Sequence, residues 1–190
     1  RCRWSVRVVA RMRFGLRGCP PSAIARLRLY DNPLGAHGGR LLRELLSQSN
    51  VLKELDVERT GLGPSGAREI ASGLKRNDHL QELALGFNSL AGFEGSGEEE
   101  TFTYGGALEL ADALAHNSAL RTLGLAGNDL ADEGAVALAQ AIRRNQGTSL
   151  RSLNLRFNSI RDAGGLGVAV ALSASHVLLA VLDLQGNMLS

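Results

Sequence analysis

From residue 24 onward the hydrophobic and polar positions fall into one eleven-residue pattern that recurs six times. One copy reads Leu52-Lys-Glu-Leu55-Asp-Val57-Glu-Arg-Thr60-Gly-Leu62, and the others begin at Ile24, Leu80, Leu120, Leu150 and Leu179. The general form is apolar-x-x-Leu-x-apolar-x-x-Asn-x-apolar, with Thr60 the one break in the Asn column. The starts lie 28, 28, 40, 30 and 29 residues apart. A fixed period of this size marks stacked supersecondary units, none of which can bury its apolar face alone. Within each copy the alternation is that of a short strand, so Leu55 and Val57 are expected to point inward and Glu54, Asp56 and Glu58 outward. Downstream the period changes to that of a helix. Ala67, Ile70, Ala71 and Leu74 fall at i, i+3, i+4, i+7, as do Ala107, Leu110, Ala111 and Leu114, and Ala135, Leu138, Ala139 and Ile142.

The polar positions complete the unit. Asn32, Asn88, Asn128, Asn158 and Asn187 carry amides that both donate and accept, and so suit a buried turn whose backbone groups must be paired. Asn77, Asn117 and Asn145 are expected to close their helices in a left-handed turn. Lys75-Arg76 and Arg143-Arg144 fall where the helix dipole favours cations. A strand inside and a helix outside differ in width, so the stack must curve. The expected fold is therefore α/β: a right-handed βα superhelix with a parallel sheet on its concave face and helices on its convex face.

Leu-x-x-Leu-x-Leu-x-x-Asn-x-Leu at this spacing, followed by Gly-Ala and an Ala/Leu helix, resembles the ribonuclease-inhibitor subclass of leucine-rich repeats. The stretch Gly66-Ala-Arg-Glu-Ile-Ala-Ser-Gly-Leu-Lys-Arg-Asn77 followed by Leu80-Gln-Glu-Leu-Ala-Leu85 is similar to the repeats of NOD-like receptors. Ran GTPase-activating proteins and tropomodulins carry similar repeats. The likeness spans residues 24–189 and implies a leucine-rich-repeat solenoid that binds protein partners; it is specific for the fold and does not name the partner, because the same scaffold serves many. The likeness to the Ran activators adds a regulator of a small GTPase as an alternative, with no distinctive motif to carry their catalytic surface over. The chain divides into residues 1–23, a basic arm or capping helix, and residues 24–190, six repeats with an insertion near 91–104.

Composition refines this picture. With 190 residues, 44% of them hydrophobic, the chain can build one continuous core. No run of about 18 apolar residues offers a membrane span. Residues 1–30 hold eight of the 21 basic residues and no acid, which leaves 13 basic against 19 acidic residues beyond them, a net of −6. A basic arm on an acidic body points to different partners for each. Trp4, Val8, Met12 and Leu16 share a helical face beside Arg3, Arg7 and Arg11, with Arg13 and Arg17 following. The arm suits either a cap over the first repeat or a contact with RNA, anionic lipid or an acidic protein. Cys2 and Cys19 both lie in this arm, and no Asn-x-Ser/Thr sequon occurs, which favours an intracellular, cytoplasmic setting. An Arg-rich, acid-poor start also fits an organellar transit peptide. A first residue other than Met fits a fragment or a processed chain.

Three surfaces are candidates for partner binding. On the concave face the outward strand positions begin Arg26, Arg28, Tyr30 and Glu54, Asp56, Glu58, and the register expected for neighbouring strands sets Arg26 against Glu54 and Arg28 against Asp56. This is either a recognition stripe or an internal ladder of exposed ion pairs. Farther along, Ala84, Gly86, Gly124 and Ala126 leave a floor almost free of side chains, and Arg156 adds a charge beyond it. Second, Phe87 and Phe157 precede the Asn column at the rim, either as interface anchors or as packed turn residues. Third, the insertion carries Phe93, Phe102 and Tyr104 beside Glu98, Glu99 and Glu100. Insertions of this kind often map to the binding face. A Gly/Glu loop alone should lack order, so order would point to a bound neighbour or to aromatics packed on the helices.

Chemistry of other kinds finds little support. Gly61-Leu-Gly63-Pro-Ser-Gly66 has the dinucleotide spacing, but Leu62 is the repeat's own apolar position, so the segment reads as a structural turn. His37, His79, His116 and His176 are far apart by repeat number, and no Cys/His spacing suits zinc. No nucleophile sits beside an oriented base. The expectation is a non-catalytic protein-interaction module or scaffold, a subunit of a larger assembly that binds through the concave sheet and the 91–104 loop, without cofactor, metal or small-molecule substrate.

Overall fold

The computed structural model describes residues 24–95, 100–173 and 176–190. In chain order the elements are β1 (Arg26–Arg28), α1 (Gly35–Gln48), β2 (Glu54–Asp56), α2 (Gly63–Leu74), β3 (Glu82–Ala84), β4 (Gly92–Glu94), β5 (Thr101–Thr103), α3 (Gly105–Leu114), β6 (Thr122–Gly124), α4 (Ala131–Arg144), β7 (Ser152–Asn154), α5 (Asp162–Leu172) and β8 (Val181–Asp183). Six strands form one parallel sheet in the order β1-β2-β3-β6-β7-β8, while β4 and β5 pair antiparallel as a separate hairpin. The sheet lies in register, with Leu27, Leu55, Leu83, Leu123, Leu153 and Leu182 side by side. The ladder continues one residue beyond each strand. Leu29, Val57, Leu85 and Leu125 donate to the carbonyls of Asp56, Ala84, Gly124 and Asn154 at 2.7–3.0 Å.

The apolar positions fill one shared interior between sheet and helices. Leu55, Leu83, Leu123 and Leu153 are all at most 1% exposed, and the helix stripes Ala67/Ile70/Ala71/Leu74 and Ala135/Leu138/Ala139/Ile142 join them. Small residues set the spacing of neighbouring helices. A Cβ on Gly39 in α1 would lie 2.7 Å from the Cα of Gly66 in α2, and one on Gly106 in α3 would lie 2.8 Å from the Cβ of Ala67. Both distances are below contact, so these small residues let neighbouring helices approach and the units stack.

Two asparagine ladders run through the stack, one at the strand exits and one at the helix exits. At the strand exits, the Asn88 side-chain oxygen accepts from the Thr60 and Leu62 backbones at 3.0 and 3.3 Å. The Asn128 oxygen accepts from Asn88 and Leu90, the Asn158 oxygen from Asn128 and Leu130, and the Asn187 oxygen from Asn158 and Ile160. Their amides donate to carbonyls of their own and the preceding strand, as Asn128 does to Leu125 and Leu85. Thr60 covers its break with a hydroxyl that donates to Val57 at 2.7 Å.

The second ladder corrects an expectation. Asn77, Asn117 and Asn145 do not turn left-handed, since none has a positive φ. Their side chains are buried instead and link one helix exit to the previous one. The Asn77 amide donates to the Leu46 and Ser49 carbonyls, that of Asn117 to Leu74 and Asn77, and that of Asn145 to Leu114 and Asn117. The oxygens of Asn77 and Asn117 cap the backbone leading into the next strand. These asparagines pair buried carbonyls that no helix of finite length can satisfy by itself.

Candidate functional site: the concave wall and its rim

Register places the outward side chains in three rungs that cross the concave wall. The first runs Arg26, Glu54, Glu82, Thr122, Ser152, Val181, and the second runs Arg28, Asp56, Ala84, Gly124, Asn154, Asp183. The third, one step beyond, runs Tyr30, Glu58, Gly86, Ala126, Arg156, Gln185. Arg26 pairs with Glu54 as expected, Nε to Oε1 at 2.8 Å. Arg28 does not pair with its rung partner Asp56. Its guanidinium turns to the same Glu54 carboxylate at 3.6 Å, while Asp56 accepts the Glu58 backbone N–H at 3.2 Å. Both arginines thus share one acid. Asp56 and Glu82 have no cation within ion-pairing distance among the described residues. Tyr30 stands exposed at the end of its strand.

The floor is narrower than the sequence suggests. Gly86 and Ala126 are buried, and a Cβ on Gly86 would lie 2.7 Å from Glu58 Oε1, so the Glu58 carboxylate lies across that part of the floor. Burial and the Asp56 charge push the Glu58 carboxyl above its usual range, against the lowering pull of Arg59. The open floor is Ala84 and Gly124 on the second rung. Around it the wall encloses a concavity of about 400 Å³ bounded by Arg28, Tyr30, Glu54, Asp56, Glu82 and the Thr122/Ser152/Asn154 edge. Arg156 stands outside this hollow, 3.7 Å from Asp183.

The strand-to-helix turns form one edge of the stack. There the residue before the Asn column takes a left-handed φ in every unit: Asp31, Arg59, Phe87, Gly127, Phe157 and Gly186 lie between 53° and 75°. Phe87 and Phe157 are neither packed away nor free. Phe87 is 40% exposed and its ring covers the neighbouring unit's Gly127, where a Cβ would meet the ring at 2.4 Å. Phe157 covers Gly186 in the same way, and the guanidiniums of Arg59 and Arg156 lie 4.5 and 5.2 Å from the two ring centres.

On this edge the insertion forms the β4–β5 hairpin, ordered by the protein's own side chains. Ser65 and Arg68 on α2 both donate to the Glu94 carboxylate, at 2.5 and 2.6 Å. Burial pushes the Glu94 carboxyl upward, but these hydrogen bonds and the Arg68 charge outweigh it and hold it below the usual range. Phe93 and Phe102 meet edge to face at 5.3 Å, and Phe102 meets Tyr104 at 5.2 Å. Tyr104 is partly buried, and burial with the nearby Glu133 carboxylate pushes its hydroxyl above its usual range, whereas Phe93 and Phe102 are 64% and 46% exposed. Glu100 is exposed beside β5. Glu98 and Glu99, and the arginines 3, 7, 11, 13 and 17 with the rest of the arm, lie outside the described residues. The structure therefore gathers Arg26, Arg28, Tyr30, Glu54, Asp56 and Glu58 on one wall and sets the hairpin apart on the edge. Sequence reading missed Ser65 and Arg68, whose role depends on a partner about 26 residues away.

A family model described as "Leucine Rich repeat" matches residues 48–71, 116–139 and 148–169. The fold is a leucine-rich-repeat solenoid. The three matched stretches of the solenoid leave out the insertion and its flanks. No curated protein matches the chain. Among solved structures, the solenoid is similar to "Leiomodin-1 Actin-Binding Site 2 (ABS2)", with a TM-score of 0.62 and 18% identity over 87% of this chain and 86% of that one. At that identity the likeness is one of fold. The Gly61–Gly66 segment is the repeat's own turn, with Leu62 buried and Gly61 and Gly63 at positive φ. Among the described residues, no helix is long and apolar enough to cross a membrane.

Proposed function

We propose that this solenoid is a non-catalytic protein-interaction module that holds its partner on the concave wall, with the 91–104 hairpin as a second contact at the rim. The observation that supports this reading best is the hollow at Ala84 and Gly124. A sheet face there is left open, beside Asp56 and Glu82, which have no ion pairs among the described residues. The exposed Phe93/Phe102 pair adds an aromatic contact of the kind that anchors interfaces. Repeats of 28–30 residues with a full helix on the convex side support the ribonuclease-inhibitor subclass. The hairpin's own anchors explain its order, so it gives no reason to invoke a neighbour already bound. Leiomodin-1's matched region is an actin-binding site, but a shared fold at 18% identity gives actin no priority as partner here.

The test is site-specific photo-crosslinking. A photoreactive residue is placed in turn at Ala84 on the wall, Phe102 on the hairpin and Gln140 on the convex side, and crosslinked proteins are identified by mass spectrometry. Crosslinks to one protein from Ala84 and Phe102 but not Gln140 are expected; capture from Gln140 alone would overturn the reading. If the captured protein is a small GTPase whose GTP hydrolysis this chain accelerates, the module is a GTPase regulator instead. Capture of RNA or anionic vesicles through residues 1–17, lost between about 50 and 200 mM salt, would move the function to the arm.

A further inference from the structure

The concave hollow has a chemistry that narrows its occupant, and this step rests on the interaction reading above. Three features meet there. The floor is Ala84 and Gly124, side by side on β3 and β6. With strands about 4.8 Å apart, two such positions leave a strip roughly 10 Å wide with nothing longer than a methyl group, wide enough for an extended main chain. One wall presents Asp56 and Glu82, which lack ion-pair partners among the described residues, while the nearby Arg26 and Arg28 are both committed to Glu54. The opposite edge presents Thr122, Ser152 and Asn154, neutral groups that can pair with a peptide backbone. The Asn154 oxygen already accepts the Arg156 N–H at 3.0 Å, so its amide is the group that can donate, beside the Thr122 and Ser152 hydroxyls.

We infer that this hollow docks an extended segment of a partner protein bearing lysine or arginine, its cation between Asp56 and Glu82 and its main chain over Ala84 and Gly124. An acidic segment would meet three carboxylates there, Glu54, Asp56 and Glu82, against only the two guanidiniums of Arg26 and Arg28. A bulky apolar one would bury Asp56 and Glu82 without a counter-charge.

The probes are three fluorescent peptides of one length, with basic, neutral or acidic side chains on a Gly/Ser backbone, titrated by anisotropy and mapped by amide chemical shifts. The basic peptide should bind and shift the Ala84, Thr122 and Gly124 amides. Asp56→Asn with Glu82→Gln should weaken it about tenfold, the scale of one or two exposed charge pairs. A control pair elsewhere, Glu109→Gln with Asp129→Asn, removes the same charge and should change little. Gly124→Leu keeps every charge but fills the floor, and should abolish the shifts. A Cβ there meets nothing closer than 3.6 Å, so the strand accepts it. Should Gly124→Leu lower the unfolding temperature, Ala84→Leu serves in its place.

Equal weakening by both double variants, or full binding by the floor-filled variant, would overturn the inference and leave only general attraction to an acidic body. Tighter binding after Arg3, Arg7, Arg11, Arg13 and Arg17 are changed to Gln would name the chain's own arm as occupant and also overturn it. If Ala84 crosslinks a partner through a neutral or acidic segment, the basic class falls while the interaction reading stands.

Discussion

At the residue scale, the strand-exit turn makes the strongest demand. Every unit needs a left-handed residue before its Asn column, and glycine meets that need at the least cost. Phe87 and Phe157 meet it at a cost of about 1–2 kcal/mol each, and each then requires a glycine in the neighbouring unit to seat its ring. Gly127→Ala should therefore lose about 2–3 kcal/mol in denaturant unfolding, from backbone strain and the collision with Phe87 together. Adding Phe87→Gly should return part of that loss, because it removes both the ring and its own strain; strict additivity in the double variant would refute the ring contact. The Asn column itself is stricter. Asn128 is fully buried, and its amide group joins the backbones of Leu85, Asn88 and Leu125. Asn128→Ala should cost about 3 kcal/mol or more, since several buried backbone groups lose partners at once.

At the element scale, the hairpin hangs on one carboxylate. Glu94 titrates below its usual range in the folded protein because Ser65 and Arg68 bind its charged form. Its contribution is therefore complete above the ordinary carboxylate range and is lost as pH falls through the lowered folded value. Side-chain cross-peaks between Phe93 and Phe102 should weaken in acid before the sheet amides change. In Glu94→Gln they should be weak at neutral pH as well; cross-peaks that survive acid intact would show the aromatic pair to be sufficient. The elements differ in how far sequence disclosed them. Strands, helices and the strand-exit asparagines follow from periodicity, because each repeats a local cause. The hairpin could not be read that way: Glu94 and Arg68 are distant in sequence, and only stacking brings α2 beneath β4. The helix-exit asparagines were visible as a column, but their role was misjudged because side-chain pairing across units looks locally like a helix stop. On the concave wall the rungs were legible and the partners within them were not, since Arg28 reaches diagonally to Glu54 and Glu58 folds over Gly86.

At the scale of the whole molecule, stability is a sum over neighbours, because each unit touches only the units beside it. The central leucine of a unit shows this directly. Leu123, with strands on both sides, is 0% exposed, whereas Leu182 in β8 pairs on one side only and is 37% exposed. Truncating the same side chain should thus have different consequences by position. Leu123→Ala opens a cavity between two filled interfaces and should cost about 2–5 kcal/mol. Leu182→Ala removes a side chain already partly in water and should cost less than about 2 kcal/mol. The two should also differ in kind. A weakened middle unit couples the N-terminal and C-terminal halves less tightly, so Leu123→Ala should separate the unfolding of β1–β3 from that of β6–β8 in amide exchange. Leu182→Ala should fray β8 alone and leave the exchange of Leu55 and Leu83 unchanged. Equal protection loss throughout the sheet in both variants would mean that the solenoid unfolds as one indivisible unit. The concave hollow would then draw its rigidity from the whole stack rather than from the two strands, β3 and β6, that form its floor.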